Sequence, residues 1–268
     1  MIDVLSYGGG VQSVATVVLI LQGRIIKPDL IVMADTGREK RSTFSYLEKY
    51  IAPLINVEIL KAKEFLNKND YSSITHYSTG NIDTKLPMFL DSSGKLKPHC
   101  SDRWKRTVIN RYLRNTLKIK ECRIWLGFTT DELKRVKNKS DKKWCEYAYP
   151  LIDKLFKQGI SDLSLSRQAC IQIIEDFGLP CPPKSSCFIC PHMKQQEWLD
   201  LPSDEIKKAS EIEKEIQEAT ADTLDHTPYL TRICKPLPEA IREMRESQEQ
   251  DNQQLQLFGS CDSGFCFV

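Results

Sequence analysis

Short apolar runs alternate along the chain with stretches in which apolar residues recur every three or four positions. That rhythm predicts strands alternating with helices. The first run covers residues 2–6 and ends at Gly8, Gly9 and Gly10, after which Val14, Val17, Val18 and Leu21 repeat at helical spacing. A second run at 29–34 precedes Asp35, Thr36 and Gly37 and a helical pattern through Phe44, Leu47 and Tyr50, with a third strand expected at 57–60. Residues 102–117 read as a basic amphipathic helix, 123–128 as another buried strand and 166–177 as a further helix. Strands separated by helices imply an α/β fold with a doubly wound parallel sheet, whose ligands bind at the carboxyl ends of the strands. The glycine loop and Asp35 belong to that edge.

The remaining segments lack this rhythm. Residues 67–98 are broken by Ser, Thr, Asn, Gly and Pro and read as a long irregular loop of the kind that covers a sheet edge. A Pro- and Cys-rich stretch at 180–191 ends the expected parallel core, and polar helices are expected at 203–221 and 238–253 before a short tail. The Gln-rich patch at 248–256 reads as a solvated helix end. The expected division is a nucleotide-type domain over 1–200, carrying a Cys-containing insertion, and a small helical C-terminal part over 201–268 with a Cys-containing tail.

Composition adds little except through the cysteines. The chain has 268 residues, 41% hydrophobic and 28% charged, with a formal net charge of +2, so no global field argues for or against nucleic acid. The opening MIDVLSYGGG lacks a basic segment followed by a long apolar one. No window reaches the ~18 apolar residues of a membrane span, and a cytoplasmic protein without membrane association is expected. There are ten cysteines, the first of them Cys100. In a reducing compartment such clustering points to metal ligation or redox chemistry before disulfides.

The stretch Ser6-Tyr7-Gly8-Gly9-Gly10-Val11-Gln12-Ser13 lies between a strand and a helix, where successive backbone amides and the helix N-terminus make an anion site. Glycines let a phosphate approach the backbone, and Ser6 and Ser13 can add hydroxyl donors. The stretch is neither a Walker loop nor a dinucleotide fingerprint, and an ordinary glycine turn is the competing reading.

This loop resembles the Ser-Gly-Gly-x-x-Ser pyrophosphate loop of the PP-loop, or adenine nucleotide α-hydrolase, superfamily. The likeness continues through Met33-Ala-Asp35-Thr36-Gly37, Cys100-Ser-Asp-Arg103-Trp-Lys105 and Gly127-Phe-Thr-Thr-Asp131-Glu132-x-x-Arg135, which are similar to motifs of the phosphoadenosine-phosphosulfate reductase branch. It spans about residues 1–192, with Gln12 where many PP-loops have Asp. The resemblance implies a HUP-like sheet that cleaves ATP between its α- and β-phosphates, or binds a sulfonucleotide in the same groove. Such chemistry needs donors on the leaving pyrophosphate and cations around the α-phosphate. Ser6, Gly8, Gly9, Gly10, Gln12 and Ser13 fit the first role; Lys105, Arg103 and Arg135 are candidates for the second. Asp35, with Thr36 and Gly37, is expected to face the ribose or adenine, and Asp131 and Glu132 are candidates to hold Mg2+. A solvated surface role competes for each charged residue.

Cys187 and Cys190 form a C-x-x-C followed by Pro191 and His192, a spacing that lets two thiolates reach one metal or cluster. In the resembling family a cysteine like Cys100 joins such a pair. The expected set is Cys100, Cys187 and Cys190 with Cys266 or Cys261 around a 4Fe–4S cluster. Cys181 is a further alternative, and zinc with His192 or His99 is the competitor. Cys122, Cys145, Cys170 and Cys234 are expected to be small buried residues.

Residues 134–143 contain six cations and one acid, followed by Trp144 and Tyr147, which can track a nucleic-acid backbone or merely be solvated. Three functions remain. The first is an ATP-dependent sulfur transferase that adenylates a DNA or tRNA acceptor and draws sulfur from a cysteine desulfurase or another donor protein. It resembles the PP-loop subunits of DNA phosphorothioation and tRNA thiolation systems. The others are a sulfonucleotide reductase and a non-catalytic nucleotide-binding protein with structural zinc.

Overall fold

A computed structural model describes residues 1–76, 80, 82–91, 94–137 and 142–259. Its strands are β1 (Ile2–Ser6), β2 (Leu30–Asp35), β3 (Glu58–Lys61), β4 (Ile74–His76), β5 (Ile82–Thr84), β6 (Phe89–Leu90), β7 (Cys122–Trp125), β8 (Cys145–Ala148) and β9 (Pro228–Tyr229). Two compact units result. One comprises residues 1–72 and 100–187, the other residues 73–99 and 188–268.

The first unit is an α/β structure around a five-stranded sheet of order β3-β2-β1-β7-β8, in which every pairing is parallel. Val4 of β1 registers with Leu30 on one side and Ile124 on the other. The expected doubly wound sheet is thus present at the level of its all-parallel strands and flanking helices. The chain builds outward from β1 to β3, then returns to the other side of β1 for β7. The neighbouring strands β1 and β7 therefore mark the topological switch point, where the loops leaving their carboxyl ends diverge and open a crevice.

Helix Val11–Leu21 follows β1 directly. Val14, Ala15, Val17, Val18 and Leu19 are wholly buried, so the helix is apolar nearly all round, as a segment packed on both sides must be. Each of its larger aliphatic side chains contributes roughly 1.5–3 kcal/mol of burial. It packs against helix Arg167–Asp176, which is read at 166–177 from the sequence and starts at Ser166, whose side chain accepts from the Ala169 amide. The basic helix expected at 102–117 is a continuous helical stretch, with wide π-type turns at Asp102–Arg106 and Tyr112–Thr116 flanking Thr107–Arg111. The expected strand 123–128 is shorter, ending at Trp125. Strand β8 has no counterpart among the sequence expectations, since its Cys-Glu-Tyr-Ala carries an exposed Glu146 at the sheet edge.

The second unit gathers residues from the stretch read as an irregular loop. Strands β4 and β5 form an antiparallel hairpin, and β6 pairs with β9 through Phe89–Tyr229 and Leu90–Pro228. Leu86 and Met88 are buried between them in sequence, so the described residues here include packed structure, built from strands too short to show an alternating pattern. Helices Ser203–Thr220 and Leu237–Gly259 pack against each other, close to the spans expected. The buried Glu213 carboxylate accepts from the amides of Leu230 (2.8 Å) and Leu237 (2.7 Å), organising the start of the second helix. Burial pushes its carboxyl above the usual range, against the opposing effect of those two amides. No described helix is long and apolar enough to cross a membrane.

Candidate functional site

The glycine loop leaves β1 at Ser6, where the Tyr7 amide donates to Val32 of β2. Gly10 is the N-cap of helix Val11–Leu21, with extended backbone and no side-chain cap, and no acidic residue occupies the first turn. The helix therefore presents uncapped first-turn amides at the crevice, where the positive end of its dipole favours an anion. Gly9 has φ +73°, and a Cβ there would lie 2.5 Å from the Thr43 methyl, so the position admits only glycine. A Cβ on Gly8 meets nothing within 4 Å: this residue faces open space. Ser13 Oγ donates to the Gly10 carbonyl at 2.9 Å, so it fixes the turn.

The cysteine-rich segment lies against the same loop. A Cβ on Gly10 would meet Ser185 Oγ at 2.8 Å. The Lys40 amide donates to the Ser186 carbonyl at 3.2 Å, and Glu39 and Cys187 form an antiparallel bridge. Four buried polar atoms near this junction have no hydrogen-bond partner: Tyr7 Oη, Glu39 Oε2, Thr43 Oγ1 and Ser186 Oγ. Such orphans are rare in folded proteins, and each calls for an explanation, a bound ligand or ion among them.

Behind Cys187 sits an ion pair that the sequence did not disclose. Glu39, its side chain wholly buried, receives Lys105 Nζ at 2.8 Å; Lys105 is 35% exposed. Thr36 Oγ1 donates to Glu39 Oε1 at 3.2 Å and lies 3.5 Å from Cys187 Sγ, while the Cys187 thiol donates to Glu39 Oε1 at 3.7 Å. Burial alone would lower the Lys105 pKa, but Glu39 and the sulfurs of Cys187 and Cys100 outweigh it and hold the ammonium well above its usual range. Thr36, Lys105, Cys100 and Cys187, separate motifs in the sequence, thus share one electrostatic neighbourhood with Glu39. The only signal for Glu39 was its position just beyond Asp35-Thr36-Gly37.

The turn after β2 is built around Gly37, whose φ is +71° and whose absent Cβ would lie 2.3 Å from Tyr71 Oη. Asp35 Oδ1 accepts from the Gly37 amide at 2.7 Å, so that carboxylate shapes the turn. Arg38 lies between the rings of Tyr71 (4.6 Å) and Trp104 (4.3 Å) and donates to the Thr36 and Tyr71 carbonyls. It ties the Asp35–Gly37 turn to the helix carrying Lys105. Arg103, on that helix, is exposed.

The segment leaving β7 forms the other wall. Gly127 packs on Gln12, the distance from a built Cβ to the Gln12 Cβ being 3.4 Å. Gln12 Nε2 donates to Glu132 Oε2 at 3.1 Å, and Arg135 pairs with Glu132 Oε1 while its guanidinium lies 4.5 Å above the Phe128 ring. Gln12 is therefore a bridge from the glycine loop to the Gly127–Arg135 segment. Asp131 has a different position: its Oδ2 accepts from the Arg167 amide at 2.6 Å and from Thr129 Oγ1, capping helix Arg167–Asp176. Both carboxylates expected at a Mg2+ site thus have protein partners.

Among the described residues no group of three His, Cys, Asp or Glu side chains is gathered closely enough to hold a metal ion. Cys100 and Cys187 belong to the first unit and Cys190 to the second. Cys261 and Cys266, like Lys139 of the basic stretch, lie outside the described residues. Cys122 and Cys145 are buried register partners on β7 and β8; the Cys145 sulfur and burial push the Cys122 thiol far up. Cys170 is also buried and pushed up to about 12 by burial, with Asp131 adding to it. Cys234 is only half-buried, its thiol donating to the Leu90 carbonyl. Trp144 is faced by the Arg114 guanidinium at 5.2 Å.

Compared with known proteins, the chain matches no family model and no curated protein.

Proposed function

We propose that the first unit is a PP-loop nucleotide-binding domain that splits ATP at its α-phosphate and adenylates a nucleic-acid acceptor for sulfur transfer. The observation that carries this reading is the placement of an uncapped helix N-terminus and a partly open glycine loop at the switch point between β1 and β7. An anion is the ligand such a terminus favours. Thr43, its hydroxyl buried and without a partner beside Gly9, is suited to donate to a bound phosphate oxygen.

In this reading the amides of Gly8, Gly9 and Gly10 and the first helical turn hold the β- and γ-phosphates. Lys105 is balanced by the wholly buried Glu39, so the exposed Arg103, together with Arg135 from its exposed pair with Glu132, supplies the cations for the α-phosphate. Gln12 keeps Glu132 and Arg135 at the loop. An acceptor oxygen attacks the α-phosphorus, the bond to the bridging oxygen breaks, and the charge developing on pyrophosphate falls on the loop amides. Positioning and charge stabilisation provide the catalysis. Mg2+ accompanies the triphosphate and is held mainly by its oxygens.

The same reading includes a 4Fe–4S cluster to which the first unit contributes Cys100 and Cys187, supplied with sulfur by a donor protein such as a cysteine desulfurase. Its support is the shared electrostatic neighbourhood of Cys100, Cys187 and Lys105 beside the loop. When bound, the cluster would supply sulfur chemistry next to the adenylated acceptor.

The test is product analysis. ATP incubated with the protein and DNA or tRNA should yield AMP and pyrophosphate, and replacing Lys137, Lys139, Lys142 and Lys143 by Ala should weaken nucleic-acid binding and flatten its salt dependence. Release of ADP and phosphate, or no salt-dependent nucleic-acid binding by the wild type, would overturn the reading.

A further inference from the structure

The second unit contains a cavity of about 540 Å3, within the ~300–1,000 Å3 of small-molecule sites. Its polar lining includes Lys95, His192, Lys194, Arg232 and Thr231, and none of its described lining residues is acidic. Its apolar lining includes Trp198, Met193 and Met244, of which Trp198 is almost fully buried.

Lys95 and Arg232 are exposed, and both lie near one ring. Lys95 Nζ lies 4.5 Å from the Phe89 ring centroid and the Arg232 guanidinium 5.6 Å from the same centroid, so one aromatic ring gathers two like charges. Lys95 Nζ is also 3.2 Å from His192 Nδ1. An ammonium can only donate, so Nδ1 accepts and His192 is neutral when this contact is made. Thr231, 2% exposed, lines the cavity with a hydroxyl that has no hydrogen-bond partner.

We propose that this cavity binds a phosphomonoester, its phosphate held by Arg232, Lys95 and the Thr231 hydroxyl and its organic body lying against Trp198, Met193 and Met244. Two gathered cations without a lining carboxylate call for a dianion. A carboxylate would leave one cation unbalanced, whereas a phosphate neutralises both and offers three oxygens, two for the guanidinium fork and one for the ammonium or hydroxyl. The apolar wall distinguishes the site from a bare ion site and gives an organic ester an advantage over inorganic phosphate. A 5′-terminal phosphate on a nucleic-acid strand and the phosphate of a free mononucleotide share this chemistry. The inference rests on the second unit alone and is independent of the reading of the glycine loop.

The experiment is calorimetric titration of the full chain, as wild type and as Arg232→Ala, Lys95→Met and Thr231→Val, with three probes: inorganic phosphate, AMP and a short 5′-phosphorylated oligonucleotide with its unphosphorylated form as control. To separate this site from the glycine loop, each titration is repeated in the Gly8→Asp background. AMP or the phosphorylated strand should bind at least tenfold more tightly than inorganic phosphate. Arg232→Ala should lose tenfold or more of that affinity and Thr231→Val severalfold, with unfolding midpoints unchanged and the same losses in the Gly8→Asp background. Preference for AMP identifies a nucleotide site and preference for the phosphorylated strand a strand-end site; either supports the proposal. Binding that survives Arg232→Ala and Lys95→Met, vanishes with Gly8→Asp alone, or does not distinguish the phosphorylated strand from its control while AMP also fails to bind, overturns it.

Discussion

Replacing Lys105 by Met tests the ion pair behind the glycine loop, because it leaves Glu39 buried without its cation. The Glu39 side chain is wholly enclosed and its Oε2 has no hydrogen-bond partner, so Lys105 Nζ at 2.8 Å is its charge partner. At an effective dielectric constant of 20 the bare attraction at that distance is ~6 kcal/mol, before desolvation is subtracted. Removing one partner of a fully buried pair typically costs about 3–5 kcal/mol. Lys105 is 35% exposed, and solvent screening reduces the expectation to about 2–3 kcal/mol. The double variant Lys105→Met/Glu39→Gln removes the stranded charge and should recover more than half of that loss. The Lys105 pKa is raised in the folded state, since Glu39 and the nearby thiols outweigh burial. Its contribution is therefore complete below the unfolded value of 10.5 and is lost only as pH rises beyond it, so the penalty should be constant across neutral pH. Urea unfolding of wild type, both single variants and the double variant, without nucleotide, measures it. A single variant that loses less than about 0.5 kcal/mol, or a double variant no better than the single one, would refute the reasoning.

Other consequences follow from individual positions. Gly9→Ala should destabilise by roughly 2–4 kcal/mol, combining the positive φ with overlap against Thr43, whereas Gly8→Ala should be within about 0.5 kcal/mol of wild type in thermal unfolding. Glu213→Ala should cost about 2–4 kcal/mol by stranding the Leu230 and Leu237 amides. Because burial raises the folded Glu213 pKa, its carboxyl favours folding most below the unfolded value near 4.5, and the advantage of wild type over Glu213→Gln should shrink as pH rises through the folded value in a urea series. Protein purified without oxygen should be brown and contain iron and sulfide, both lost in Cys187→Ser; a colourless preparation with about one zinc per chain would replace the cluster with zinc.

Apolar runs made most of the sheet legible: β1, β2 and β7 are close to where mainly apolar stretches placed them, because central strands are covered on both faces, and the edge strand β3, with Ile59 and Lys61 exposed, starts and ends one residue beyond its expected span. Strand β8 was hidden by its length and its exposed Glu146. The pairing of Phe89 with Tyr229 was hidden by sequence distance, which no local pattern reports. The site divides in the same way. Glycines reveal themselves because backbone conformation is a local property, and Gly9 and Gly37 both have positive φ. Glu39 belongs to no motif, and its role appears only once the helix carrying Lys105 packs beside it. Asp131 also caps a helix through an amide 36 residues later, a partner that no local pattern reports. Partners remote in the chain decided which charges shape the fold and which remain for a ligand.

The measurement that bears most directly on the central claim is titration of the protein with ATP and Mg2+, comparing wild type with Gly8→Asp. A Cβ built on Gly8 meets no neighbour within 4 Å, so the position has room for a side chain, and an Asp there brings a carboxylate to the proposed phosphate site. Wild type should bind, and Gly8→Asp should bind at least about a hundredfold more weakly, a loss of roughly 2.7 kcal/mol, with an unchanged unfolding midpoint. Equal affinity in a folded Gly8→Asp variant, or no binding of ATP or a sulfonucleotide by wild type, would contradict the assignment of the glycine loop as the nucleotide site.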